Sequence, residues 1–147
     1  MKSRPRIPPA AAAWLHKADD DLEAARVLLR SGKDINDVIC FHAQQCVEKG
    51  PKALLTFHKR PFPFVHDLGE LLVLLPTGVK VPLTVREAES LSDFAVVARY
   101  PGFGTGAGLN ETRQAVATAG RVRDAVGVLV GEPAISHRGP ARGKPRR

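Results

Sequence analysis

Polar side chains recur at helical spacing in the segment from residue 38 to residue 57. They form a stripe of His42, Gln45, Lys49 and Lys52. A second, mostly apolar line lies about 60° away on the same predicted helix. It consists of Ile39, Ala43, Cys46, Gly50, Ala53 and Phe57. Imidazole, amide and ammonium groups beside a core can bind phosphate or hydrogen-bond to a base, and they can also fix the register between two copies of a chain.

Three further residues have side chains suited to the same chemistry. Arg99 and Tyr100 stand where a later predicted helix must end, because Pro101 forces the chain out of it. A cation is favoured at a helix C-terminus by the dipole alone, so Arg99 fits a structural role as well as phosphate binding. His66 precedes Asp67, and its simplest role is to be oriented through that residue.

The glycine-rich segment from Gly102 to Gly108 formally fits a dinucleotide fingerprint. That fingerprint requires a preceding strand within a βαβ unit, whereas a helix is predicted to come first here. The segment therefore predicts a flexible connector, with a generic anion site at the start of the next helix as the alternative.

No metal site and no cofactor are predicted. His42 and Cys46 are four residues apart on one helical face, but no second ligand pair follows at a usual zinc spacing. The acidic run from Asp19 to Asp21 is interpreted as a solvated face, because adjacent acids point to different sides of a helix. Cys40 and Cys46 lie about 9 Å apart along the helix axis, beyond the span of a disulfide, and are expected to be reduced, packed thiols.

Hydrophobic spacing and capping residues predict five helices and no strand. The expected spans are Ala10 to Ser31, Asp34 as cap to Phe57, Asp67 as cap to Leu75, Thr84 as cap to Arg99, and Asn110 as cap to Gly131. Gly50-Pro51 predicts a kink or break near Glu48 to Gly50 in the second helix. Brief loops between amphipathic helices favour an all-α, antiparallel up-and-down bundle of four to five helices.

The formal charge of +7 comes from the two ends of the chain. Eight basic residues and no acids lie in residues 1–9 and 136–147, which leaves 14 basic and 15 acidic residues between them. We therefore predict a basic disordered tail at 1–9, one bundle domain at 10–132 and a second basic disordered tail at 133–147. No apolar run is long enough to cross a membrane, and a soluble cytoplasmic protein is expected.

The chain resembles a HEPN domain (higher eukaryotes and prokaryotes nucleotide-binding) over about residues 12–131. The resemblance rests on motifs in a fixed order: His42, Gln44-Gln45, Glu48-Lys49, Lys52-Ala53-Leu54-Leu55, His66-Asp67-Leu68 and Arg99-Tyr100-Pro101. It implies a helical bundle, often a homodimer, that commonly occurs beside a minimal nucleotidyltransferase. Many such pairs resemble a toxin, the HEPN member, and its antitoxin.

Family members that cleave RNA carry an arginine followed by four to six residues and a histidine. The arginine would hold or stabilise a phosphate, and the histidine would move a proton from the ribose 2′-hydroxyl. No histidine follows Arg99 within that range. Arg60 and His66 satisfy the spacing, but they flank a proline-containing loop, and this match is interpreted as accidental. Arg99, His66 and Arg60 are therefore only weak catalytic candidates, and an enzyme is not favoured.

The leading prediction is a dimeric nucleotide- or RNA-binding component that acts with a nucleotidyltransferase in a toxin–antitoxin-like system. In this hypothesis Arg99 and Lys49 bind phosphate, while His42, Gln45 and Tyr100 hydrogen-bond or stack. One alternative is a metal-independent endoribonuclease toxin. Another is a purely structural bundle in which the polar stripe is a dimer seam.

Overall fold

The structure, a computed structural model, describes residues 6–102 and 106–133, with Arg99 described by its backbone only. Five helices occupy these ranges: α1 Pro9–Arg30, α2 Asn36–Phe57, α3 Leu68–Val73, α4 Val85–Arg99 and α5 Leu109–Leu129. No strand occurs in the described parts, so the predicted all-α class is confirmed. Residues 1–5 and 134–147, which hold most of the two predicted tails, lie outside the described residues.

Contacts between helices give their relative directions. Trp14 of α1 lies near Lys52 and Asp21 near His42, so α1 and α2 are antiparallel. Cys40 meets Thr112 and Cys46 meets Ala119, so α2 and α5 are parallel. Helices α2 and α5 therefore run in the same direction, opposite to α1, and α5 packs closely on α2.

The core is built around α2, which packs against every other helix. Its apolar seam is buried at Ile39, Ala43, Cys46 and Ala53, none of which is more than 1% exposed. Leu68 and Leu71 close one side of this core from α3. Because α2 is surrounded, its polar residues must find partners inside the bundle.

Two predicted helix starts are confirmed by their capping bonds. The Asp67 carboxylate accepts from the Glu70 N–H at 2.9 Å. Thr84 and Glu87 form the reciprocal capping box, at 3.0 and 3.1 Å.

The other two predicted caps are wrong. Ile35 rather than Asp34 occupies the cap position of α2, and no side chain caps that helix. Helix α5 begins before Asn110, because the Gly108 carbonyl accepts from both the N–H and the hydroxyl of Thr112, at 3.0 and 2.8 Å. The Thr112 side chain is fully buried at this end of the helix.

Gly50-Pro51 does not break α2, which is continuous from Asn36 to Phe57. Gly50 instead brings α5 close: a Cβ at this position would lie 3.2 Å from Val126 Cγ2 and 3.4 Å from Val122 Cγ1. Pro51 removes one backbone donor, and packing on all sides compensates for that loss. No helix of the described ranges combines the length and the apolar character needed to span a membrane.

Candidate functional site

The predicted polar stripe of α2 divides between two sides of the helix. His42 and Lys49 both face α1, where His42 Nδ1 lies 3.0 Å from Asp21 Oδ1 and Lys49 Nζ pairs with Asp21 Oδ2. These three side chains are 14% to 30% exposed. Their polar groups serve to join α1 to α2.

The acidic run in α1 is only in part the predicted solvated face. Asp21 holds His42 and Lys49, and Asp19 accepts hydrogen bonds from Arg123 of α5 at 2.6 and 3.1 Å. The Asp19 and Asp20 side chains are still 50% and 63% exposed, as a solvated face predicts, whereas the Asp21 side chain is 14% exposed. Successive residues of a helix point to different sides, so a run of three acids also meets the neighbouring helices.

A buried carboxylate, Glu48, lies at the centre of a second cluster. It is 2% exposed, and its two oxygens lie 3.5 Å from Lys52 Nζ and 2.9 Å from His66 Nδ1. Lys52 is itself 6% exposed and lies 5.4 Å from the centroid of the Trp14 ring. Lys52 thus belongs to the interior as the counter-charge of Glu48, since a carboxylate this buried must be paired.

His66 is held by Glu48 and not through Asp67, which corrects the role predicted for it. Asp67 instead caps α3. The His66 side chain is 58% exposed although its partner is buried. With Nδ1 donating to the carboxylate, Nε2 is the nitrogen left to accept a proton, and it makes no hydrogen bond with the described residues. An exposed imidazole of fixed orientation results.

His66 opens onto a cleft of about 230 Å³ between α2, the start of α3 and the second half of α4. The residues that line it are Gln44, Gln45, His66, Asp67, Ser92, Ala95, Val96 and Tyr100. Gln45 Nε2 donates to Gln44 Oε1 at 2.7 Å, and Tyr100 is 57% exposed. Amides, a hydroxyl, an imidazole and an aromatic ring therefore face one small space.

This cleft brings together some of the predicted site residues and not others. Gln45, His66 and Tyr100 line it, while His42 and Lys49 lie on the α1 side. The Arg99 backbone ends α4 directly before Tyr100, but the Arg99 side chain lies outside the described residues. Arg60 is exposed and does not line the cleft.

Sequence reasoning missed Glu48 and Gln44 as site residues in their own right. Both are charged or polar residues on a helix, a class expected to face solvent, yet they are only 2% and 1% exposed. The sequence signal for this burial is the long apolar line on α2, which implies that the helix packs on several sides. The pairing of Glu48 with His66, 18 residues away, had no sequence signal.

The two thiols are unsuited to nucleophilic chemistry. Burial raises the pKa of Cys46 to about 12, with Asp21 and Asp19 adding to the effect. Burial also raises the pKa of Cys40. Both cysteines are free and buried, as predicted, and at neutral pH they remain protonated.

The end of the glycine-rich segment is fixed by α2. The Ala107 N–H donates to Asp37 Oδ1 at 2.9 Å, and a Cβ at Gly106 would lie 3.1 Å from the Asp37 carboxylate oxygens. A carboxylate against this loop opposes the alternative of an anion site there. Residues 103–105 lie outside the described residues. Nor do the described ranges hold a group of three or more His, Cys, Asp or Glu that could bind a metal ion.

The helical bundle and the motif order match one family along most of the chain. The model for the HEPN domain matches residues 11–129, and the chain therefore belongs to the HEPN domain family. It is 32% identical over 98 residues to MJ1304 of Methanocaldococcus jannaschii, whose name describes it as a candidate toxin. That match covers 62% of this chain and 63% of MJ1304, so the chain spans less than two thirds of its relative.

Two solved structures share the fold. TT1696 from Thermus thermophilus is 27% identical, with a TM-score of 0.69 over 81% of this chain and 97% of that one. ST0689, an archaeal HEPN homologue, is 21% identical, with a TM-score of 0.56 over 84% of this chain and 99% of that one. The second likeness concerns the fold alone.

Proposed function

We propose that this HEPN-domain protein binds nucleotide or single-stranded RNA in the His66 cleft, as a dimeric component acting with a minimal nucleotidyltransferase partner. The observation that carries the proposal is the exposed imidazole of His66, held at 2.9 Å by the buried Glu48 carboxylate beside a cleft of amides. A buried ion pair that orients an exposed side chain is costly to build. Such a pair is more easily explained by a ligand that contacts the exposed imidazole than by a contribution to the stability of the fold.

The chemistry of the cleft lining suits an unpaired nucleotide. Proteins recognise single-stranded RNA by stacking bases on aromatic rings and by hydrogen bonds to base edges. Tyr100 provides such a ring, and Gln45 and Ser92 provide hydrogen-bonding groups. Arg99, next to Tyr100 in the chain, is proposed as the phosphate contact, because a guanidinium matches phosphate geometry.

The proposed biological setting follows from the family and the named relative. MJ1304 is described as a candidate toxin, and toxins of this kind are made with a neutralising partner. We propose the same arrangement for this chain, with a nucleotidyltransferase as the partner and a homodimer as the working form. An adjacent reading frame encoding a small nucleotidyltransferase would support this part of the proposal.

Isothermal titration calorimetry with ATP, GTP and a short single-stranded RNA tests the binding function directly. We expect binding of at least one of these ligands, and a loss of affinity of about tenfold or more in Tyr100→Ala, since base stacking contributes about 1–3 kcal/mol. His58→Ala is the matched control for His66→Ala, because His58 is exposed and does not line the cleft. Absence of heat with all three ligands would refute the proposal.

A second candidate function, metal-independent RNA cleavage, is favoured by one specific observation. Glu48 holds Nδ1 of His66, which leaves Nε2 free to take the proton of a ribose 2′-hydroxyl. The 2′-oxygen would then bond to phosphorus while the bond to the 5′-oxygen breaks, and the leaving oxygen would receive a proton. A cyclic phosphate and a free 5′-hydroxyl would result.

Incubation of labelled RNA with purified protein in EDTA separates the two candidates. Cleavage that is lost in His66→Ala and in Arg99→Ala, and reduced in Glu48→Gln, would identify an endoribonuclease. Binding without cleavage in the unaltered protein would leave the non-catalytic function. Cleavage that survives all three substitutions would exclude these residues from the reaction.

A further inference from the structure

Two adjacent amide side chains in the His66 cleft have more hydrogen-bonding capacity than their mutual bond uses. Gln45 Nε2 donates to Gln44 Oε1 at 2.7 Å. Two amides together carry four N–H donors and two carbonyl oxygens. One donor and one oxygen are used in the bond between them, whichever amide donates, so three N–H donors and one carbonyl oxygen remain.

These remaining groups are available to a ligand in the cleft. Gln44 is 1% exposed and yet lines the cleft, and its Nε2 makes no hydrogen bond with the residues that the structure describes. No buried side-chain nitrogen or oxygen of the described residues lacks a partner, so this Nε2 reaches the water of the cleft. A ligand with an acceptor at this place would replace that water and keep the hydrogen bond.

The three remaining N–H donors and the one remaining carbonyl oxygen match some bases better than others, because the four bases differ in the donors and acceptors on their pairing edges. The pairing edge of uracil offers two carbonyl oxygens around one N–H, and that of cytosine offers an oxygen, a ring nitrogen and an amino group. Each needs two protein donors and one acceptor, which the amides supply. Guanine presents an N–H and an amino group beside one oxygen, so it needs two acceptors. Adenine uses only one donor and one acceptor, and it would leave two N–H groups without a partner.

The size of the cleft also favours a single small base such as uracil or cytosine. Its volume of about 230 Å³ is below the roughly 300–1,000 Å³ of sites for drug-sized ligands, and it suits one small ring. Tyr100, 57% exposed, can stack on that ring. His66 would then lie beside the attached ribose.

We infer that the Gln44–Gln45 pair reads the pairing edge of an unpaired pyrimidine in RNA. The inference rests on the proposed RNA-binding function and specifies its substrate class. Gln45, which lines the cleft, is the specificity-determining residue, because its amide keeps one donor and the carbonyl oxygen that the bond to Gln44 does not use. Gln44 supplies further donors from the buried side.

Fluorescence anisotropy with four short RNA oligomers that differ at one central base tests this inference. The variable nucleotide carries a 2′-deoxyribose, which blocks cleavage after that base. We expect the uracil and cytosine oligomers to bind at least about tenfold more tightly than the guanine oligomer, the discrimination typical of one good bidentate contact. Equal binding of all four oligomers would overturn the inference and leave the proposed function intact.

Substitutions at Gln45 assign the discrimination to the amide. Gln45→Leu should bring the pyrimidine-to-guanine ratio close to one, whereas Gln114→Leu on the exposed face of α5 should leave it unchanged. Gln45→Glu replaces a donor with a second acceptor and should shift preference toward guanine, so it remains informative if the leucine variant folds poorly. A ratio that survives both substitutions would refute the assignment. Failure of every oligomer to bind the unaltered protein would overturn the RNA-binding part of the proposed function together with this inference.

Discussion

Glu48 shows how one side chain can join the interior of the bundle to its surface. Its carboxylate is 2% exposed and is shared between a buried ammonium, Lys52, and an exposed imidazole, His66. Replacement of such a pair by apolar residues is often neutral or stabilising in other proteins. Retention of the charges here is therefore better explained by the orientation of His66 than by stability.

Glu87 provides a test of electrostatics at a single residue. Arg121 and the backbone N–H of Thr84 both donate to its carboxylate. The Arg121 hydrogen bond, and then that N–H, lower the pKa of Glu87 from 4.5 to about 2. A carboxyl whose pKa is lowered by folding stabilises the protein above its unfolded pKa, and this contribution is lost as the pH falls toward the folded value.

We expect Glu87→Gln to lower the free energy of unfolding by about 1–2 kcal/mol at pH 7, the value of a helix cap together with a partly exposed ion pair. The difference from the unaltered protein should decline below about pH 4.5 and nearly disappear near pH 2. Urea titrations followed by circular dichroism across this range measure it. Glu89→Gln, at an exposed position of the same helix, is the control, and an equal pH dependence in both variants would contradict the assignment.

At the scale of the helix, α2 shows which structural features the sequence rules for helices predict correctly and which they do not. The spacing of its buried seam and the capping residues at Asp67 and Thr84 predicted elements that the structure contains. The same rules predict a kink or break near Gly50-Pro51, but the helix is continuous through these residues. A rule based on neighbouring residues includes the backbone hydrogen bond that Pro51 loses. It does not include the packing of the other helices around α2.

The candidate site was predictable to a similar degree. Motif and residue type predict Gln45, His66 and Tyr100 as site residues, and all three line one cleft. Helical spacing groups His42 and Lys49 with Gln45, because spacing shows which residues share one side of a helix. Spacing cannot show which neighbour that side meets, and the neighbour proved to be Asp21 of α1.

Gly50 should be sensitive to substitution because of the close approach of α5. Alanine favours a helix over glycine by about 1 kcal/mol, but its methyl group would meet buried Val126 and Val122 at 3.2 and 3.4 Å. At Gly120 a methyl group would meet only the end of the exposed Arg26 side chain. Gly120→Ala should therefore stabilise the protein by about 0.5–1 kcal/mol, and Gly50→Ala should give a smaller gain or a loss.

Gly50→Leu extends the comparison, since it forces extra volume into the contact between α2 and α5. Overpacking of this kind costs about 1–3 kcal/mol. Thermal unfolding of the three variants followed at 222 nm measures the series. If Gly50→Leu were as stable as the unaltered protein, the close packing of α5 on α2 at Gly50 would be wrong.

At the scale of the whole molecule, Arg123 ties together segments that are distant in the chain. It is 8% exposed and donates to Asp19 of α1, 104 residues away, and to Glu132 beyond the end of α5. Burial by itself lowers the pKa of Arg123, but the hydrogen bonds to Glu132 and Asp19 outweigh it, and the net pKa is raised. The guanidinium therefore stays charged and closes the bundle where α1 and α5 meet.

Arg123→Met should destabilise the whole bundle, because it leaves two carboxylates without their shared cation. Loss of one partner from a fully buried pair costs about 3–5 kcal/mol. The Asp19 and Glu132 side chains are 50% and 24% exposed, so water can compensate in part, and we expect about 2 kcal/mol. Arg113→Met, at an exposed position on the same helix, should change the unfolding free energy by less than about 0.5 kcal/mol. Equal urea midpoints for the two variants would show that Arg123 does not hold α1 to α5, and the bundle would then depend on apolar packing alone.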